Sequence, residues 1–287
     1  MYYSKILTEL TKQEKNPVNK MYLSELSLKW KAFQQLTEKP FINSDLADGI
    51  SQYLSSLHNR KFMFSKIRGT GFFHNSKIFS ANYLYDIVDA LIKKQPIIHS
   101  AGIKWDFQSV NFGFEMENTC INDFVTKPKF NGFFTSPVLS LCLDLDYQFR
   151  IKGKKYFTKQ TYNFPILLFY AYKTLNKEHL LDLIHVSKSI QSTCRYAKIF
   201  IVCESIADDL EALIQRLPIQ VFVLIMSTSF NKKNISVEMI NKLEEHIIEI
   251  LEKSPSVHLM KDKKLAAKNT GSKSSRSKTK KDHKKKK

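Results

Sequence analysis

The sequence predicts an α/β protein. Its C-terminal half, residues 131–255, reads as a three-layer domain with a mainly parallel, Rossmann-like sheet. Residues 1–130 read as a smaller mixed helical and α+β region, and residues 256–287 as a disordered lysine-rich tail. Three observations lead there. After about Phe133, short runs apolar on both faces alternate with amphipathic segments, the pattern of strands covered by helices on each side. Hydrophobic residues make up 43% and aromatic residues 12% of the 287, ample for a core. From Lys261 onward the chain carries thirteen basic and two acidic residues and almost nothing apolar after Ala267. Such a stretch cannot bury enough surface to offset its ordering entropy.

Each element follows in order. Tyr22, Leu23, Leu26, Leu28, Trp30 and Phe33 recur at helical spacing, ending before the extended-biased residue that precedes Pro40. Asn43 or Ser44 offers an N-cap for a helix over Leu46–Leu57. Lys61–His74 alternates as one or two strands turning at Gly69 or Gly71. Leu84, Ile87, Val88 and Leu91 place a helix at Ala81–Lys94. Trp105–Glu117 alternates as a strand, with a slip near Ser109 that reads as a bulge. Further strands are expected at Val138–Asp146, Ile166–Tyr172, Lys198–Cys203 and Gln220–Met226. The helices between and after them are expected at Lys177–Cys194, Ile206–Leu217 and Val237–Lys253. The basic stretch Phe149–Phe157, around Gly153, reads as a hairpin tip or loop.

Most catalytic classes find no support in the spacing. The Gly69–Gly71 pair lacks a third glycine and a Walker lysine, and no glycine-rich loop follows the second-half strands. None of the eight histidines forms a metal-ligand pattern; His179 and His185 are six apart on one expected helix. Cys120, Cys142, Cys194 and Cys203 include no CxxC pair and read as buried reduced thiols, with Cys203 a strand-end thiol. No segment approaches the length of a membrane span, and the N-terminus lacks the apolar stretch of a signal peptide. No membrane partner and no cofactor is expected.

Two features point to nucleic acid. Asp144 and Asp146 alternate on one strand, with Lys154 and Lys155 about ten residues on and Glu204 ending another strand. Acids and lysines at a sheet edge are the raw material of a metal-dependent nuclease. The preferred reading is the solvated end of an apolar strand, because no E-x-K triplet is present. The tail supplies Lys273, Arg276, Lys278, Lys280, Lys281, Lys284, Lys285, Lys286 and Lys287 as candidate phosphate contacts. It holds +11 of the formal +18, leaving +7 on the body. Its dense lysine run also reads as a nuclear-import signal.

From Phe134 to about Gln215 the element order resembles the nuclease-like domain of the XPF-type structure-specific nuclease family, most of all its non-catalytic partner subunits. The resemblance runs through Val138–Leu145, a polar stretch to Phe164, Ile166–Tyr172, the helix to Cys194, and Lys198–Cys203 with its following helix. Like those subunits, this chain lacks the E-R-K-x-x-x-D signature. The resemblance implies a heterodimeric partner and binding of branched or single-strand-containing DNA. The expectation is a nuclear, non-catalytic subunit of a DNA repair, recombination or chromatin complex. A structural protein of ribosome biogenesis or the centromere, and a metal-dependent nuclease, are the alternatives.

Overall fold

The computed structural model describes residues 2–57, 80–96, 98, 103–117, 120–121, 124–125, 129–151, 154–207, 210–215, 217, 219–229 and 232–253. The expected strands at Lys61–His74, with Gly69, Gly71, Phe72 and Phe73, and the lysine-rich tail lie outside these residues. The described helices are α1 (Tyr2–Gln13), α2 (Pro17–Thr37), α3 (Asn43–Leu57), α4 (Asn82–Lys93), α5 (Lys177–Thr193), α6 (Glu211–Ile214) and α7 (Val237–Lys253). The strands are β1 (Ile103–Gln108), β2 (Asn111–Glu117), β3 (Cys120–Ile121), β4 (Phe124–Val125), β5 (Lys129–Phe134), β6 (Val138–Ile151), β7 (Lys154–Leu175), β8 (Lys198–Ile206), β9 (Gln220–Val223), β10 (Ile225–Ser229) and β11 (Lys232–Ile235).

Five strands form the central sheet in the order β1-β6-β7-β8-β9. It is mixed rather than mainly parallel. β1 and β7 pair antiparallel with β6, whereas β8 pairs parallel with β7 and β9 parallel with β8. The difference arises from the basic stretch around Gly153: β6 and β7 pair out to Ile151 and Lys154, as the two legs of a long hairpin. A direct turn gives antiparallel neighbours, while the two parallel pairings each need a crossover.

β7 also runs through Pro165, which has no N–H to give a sheet partner. Two circumstances allow it. The β6 register shifts there, Leu141 pairing with Leu167 and Cys142 with Pro165, and β8 joins β7 only from Leu167 onward. Proline in a sheet is confined to bulges and unpaired positions for this reason.

Alternation along the strands divides the core in two. Leu139, Leu141, Leu167, Phe169, Phe200 and Val202 enter one cluster with α1, α2, α3, α4 and α7. Val138, Cys142, Leu168, Ile199, Ile201 and Cys203 enter the other, with Leu180, Leu183 and Ile190 of α5. The larger cluster runs from Tyr3 to Leu251, so residues before and after position 130 share it. α2 starts with Pro17 in its first turn, and the Asn16 side chain accepts from Val18 N at 2.9 Å. Its Leu23, Leu26, Trp30 and Phe33 are buried. α4 is buried around its whole circumference, from Tyr83 and Leu84 through Ile87, Val88 and Leu91.

Three local expectations change. Trp105–Glu117 is not one bulged strand: it breaks at Ser109 and Val110 into β1, in the central sheet, and β2, which pairs with β5. The expected helix at Ile206–Leu217 shrinks to the single turn of α6, because β8 continues to Ile206. Gln220–Met226 divides at Leu224 into β9 and β10, the latter in a hairpin with β11.

Candidate functional site

Along the backbone, the sequence-proposed acids and lysines are spread over the β6–β7 hairpin and β8. Asp144 and Asp146 pair with Asn163 and Thr161, on the part of the hairpin beyond β1 and β8. Lys155 and Lys154 sit nearer its tip, opposite Arg150 and Ile151. Counted along β6 at roughly 3.3 Å per residue, Lys155 is about 13 Å from Asp146 and 20 Å from Asp144. Glu204 lies at the other end of the sheet, where its neighbour Cys203 pairs with Tyr172, about 30 Å along β7 from Asn163. The tail cations lie outside the described residues.

The structure assembles a different set of carboxylates. Asp86 and Asp89 are one turn apart on α4, and Glu204 lies on β8 between Cys203 and Ser205, which pair with Tyr172 and Thr174; all three are buried. Because α4 is enclosed on every side, its acids need donors from neighbouring elements. Asp86 caps the start of α1, accepting from Tyr2 N at 2.6 Å and from Tyr3 N at 3.2 and 3.3 Å. A carboxylate there also meets the positive end of the helix dipole. Asp89 accepts from the Trp105 indole at 2.8 Å and from Lys93 Nζ at 2.8 Å. Tyr83 O–H donates to Glu204 Oε1 at 2.9 Å, and Tyr53 O–H to Tyr3 at 3.0 Å.

Burial dominates the titration of this network. It lifts the Asp86 carboxyl to about 6, against the lowering effect of the Tyr2 and Tyr3 amides. Burial likewise holds the Tyr3, Tyr53 and Tyr83 phenols far up. It pushes the Cys203 thiol to about 12, with Glu204 adding to the effect. A thiol so raised is a poor nucleophile at neutral pH. Cys142, Cys194 and Cys203 form no disulfide.

The aromatic residues of β1 belong to packing. Trp105 meets Phe169 edge-on at 5.6 Å, and Phe107 stacks on Tyr2 at 4.6 Å. Among the described residues, no group of three or more His, Cys, Asp or Glu side chains is placed to hold a metal ion. Nor is any helix among them long and apolar enough to cross a membrane. Sequence reasoning missed Asp86 and Asp89. The available signal was a pair of acids inside the otherwise apolar run Tyr83–Ile92.

The mixed five-stranded sheet, with its hairpin and flanking helices, is a fold shared with a solved structure. The particular likeness is to a chain of the native BbvCI A2B2 tetramer, a restriction endonuclease. The TM-score is 0.57 at 12% sequence identity, over 91% of this chain and 98% of that one. At that identity the likeness concerns the fold alone. No protein-family model and no curated protein matches the sequence, so the XPF-type resemblance gains no support beyond the shared nuclease-like fold.

Proposed function

We propose that this chain is a non-catalytic, nucleic-acid-binding subunit built on a nuclease-like fold. The observation that carries the proposal is that the three carboxylates gathered on α4 and β8 serve the fold. They hold a helix start, an indole and a phenol, with burial favouring the neutral form of Asp86. The BbvCI chain belongs to a tetramer of two kinds of subunit, and a two-component assembly is the role that fits here. The formal +18, most of it in the tail, supports a polyanionic partner. We place the protein in the nucleus, in DNA repair, recombination or chromatin work, on the strength of the lysine run.

Replacing the nine tail cations named above with Gln, in the full-length chain, tests the nucleic-acid reading. Affinity for DNA is expected to fall, with a shallower dependence on salt, since each phosphate contact releases counterions. Incubation of the wild-type protein with duplex and branched DNA plus Mg²⁺ or Mn²⁺ is expected to leave the DNA uncut. Metal-dependent cutting would instead establish the nuclease alternative.

The assembly alternative draws on one observation. Val18, Met21 and Leu28 of α2 are exposed, Leu28 at 66%. A chain that binds no nucleic acid yet sediments as a complex with a second protein would favour it.

A further inference from the structure

The β6–β7 hairpin outruns the sheet that carries it. β1 pairs with β6 only as far as Leu143, and β8 pairs with β7 only from Leu167. Beyond those limits residues 144–151 and 154–163 have, among the described residues, only each other as strand partners, in a two-stranded arm. Counted on β6 it is roughly 26 Å long.

Its composition works against its own stability. Two-stranded ribbons are marginal in water, and like charges on directly opposed positions weaken them further. Here Arg150 and Lys155 occupy opposed positions. Lys154 and Lys159 add two more cations, and no acid occurs anywhere between Tyr147 and Asn163. Asp144 and Asp146 are confined to the base. Around that base the cationic character continues on exposed residues: Lys198 at the start of β8, opposite Leu167, and Arg195 in the turn before it. Beside Arg195 stands Tyr196, 77% exposed. Glu249 of α7 is also near Lys198, but it is paired with Lys253.

We infer that the arm is a second nucleic-acid contact, separate from the tail, and that it takes duplex DNA. A two-stranded β-ribbon fits the major groove of B-form DNA, about 12 Å wide, where flanking phosphates meet its cations. The deep, narrow major groove of duplex RNA excludes it. Phosphates on both sides also offset the repulsion between the opposed Arg150 and Lys155 positions. The inference rests on the nucleic-acid reading above and deepens it by naming the element and the substrate.

The test uses four full-length proteins: wild type, the tail variant, an arm variant (Arg150→Gln, Lys154→Gln, Lys155→Gln, Lys159→Gln) and Arg150→Glu. Each is titrated with a short DNA duplex, the matching RNA duplex and single-stranded DNA at two salt concentrations. The arm variant is expected to lose roughly tenfold or more in affinity for duplex DNA. Its log–log salt slope should drop by about 3 to 4, with the other two ligands little changed. Arg150→Glu puts opposite charges on the opposed positions, so it should weaken DNA binding without lowering the melting temperature. That separates lost contacts from a lost arm. Wild-type affinity in the arm variant overturns the inference, and so does an equal loss on all three ligands. If the arm variant matches wild type while the tail variant fails, the subunit reading survives without the arm. If wild type binds none of the three, both fail.

Discussion

Helix α4 and the β6–β7 arm both set charged residues among apolar and aromatic ones, and they differ in the company those charges keep. On α4, Asp86 and Asp89 are buried, and each receives a donor from another element, the first turn of α1 or the Trp105 indole, with Lys93 of α4 itself adding a second donor to Asp89. On the arm, Arg150 and Lys155 take opposed positions with no acid between Tyr147 and Asn163. Charge within the body is neutralised by geometry and maintains the fold. Charge on the arm is of one sign along the sequence from Tyr147 to Asn163, which is where a partner is to be sought.

The comparison breaks if the body tolerates loss of its centre. Trp30→Ala removes a buried ring in contact with Tyr3, Phe33 and Tyr53. It is expected to cost about 3–5 kcal/mol in denaturant unfolding. A loss under about 1 kcal/mol would mean that the helical layer is not part of the cooperative unit.

Next in size is a pH effect. The Asp86 carboxyl is raised to about 6 in the folded protein, above its ordinary value near 3.8. Between those values the folded state holds a proton that the unfolded state has released, so stability falls as pH rises through the window. The full difference is on the order of 3 kcal/mol. Asp86→Asn keeps one acceptor for the α1 amides and cannot ionise, so subtracting its stability profile from that of wild type should isolate this slope. A flat difference between pH 4 and 6 would remove Asp86 as a strained acid.

Smaller effects sharpen the contrast. Tyr83→Phe deletes the phenol that donates to Glu204, and should cost about 1–2 kcal/mol by thermal unfolding. Glu244 of α7 behaves in the opposite sense to Asp86. Although burial raises it, donors from Asn43, Lys94 and Gln95 win and lower it. Its stabilisation is therefore present above the ordinary glutamate range and is lost as pH falls through the lowered value. Lys94→Gln should reduce that acid-side loss by a few tenths of a kcal/mol. The four-residue arm variant should change unfolding free energy least, by about 0.5 kcal/mol or less, and in the stabilising direction if opposed repulsion is relieved.

What the sequence disclosed follows from where the information resides. Lys198–Cys203 and the helix after Lys177 were legible because apolar runs and helical spacing are local. The antiparallel half of the sheet was not, because the residues around Gly153 read as a hairpin tip or loop, whereas Arg150, Ile151, Lys154 and Lys155 become strand through cross-strand pairing. The strand expected at Ile166–Tyr172 extends back through Pro165, and the bulge that allows it is invisible until β6 is set against β7. The donors to Asp86 come from residues 2 and 3, more than eighty positions away. The acids could be read as odd, but not as satisfied.

β7 has a mechanical consequence. One strand of 22 residues runs from the arm to Leu175, the residue paired with Ile206 beyond Glu204. Its register with β6 slips at two places, between Asp146 and Gln148 and again between Leu141 and Cys142. Bulges bend a strand and increase its twist, so these are the joints of an otherwise stiff rod. A load at the tip would turn the outer segment about the first and the whole arm about the second, while the stretch paired on both sides from Leu167 stays still.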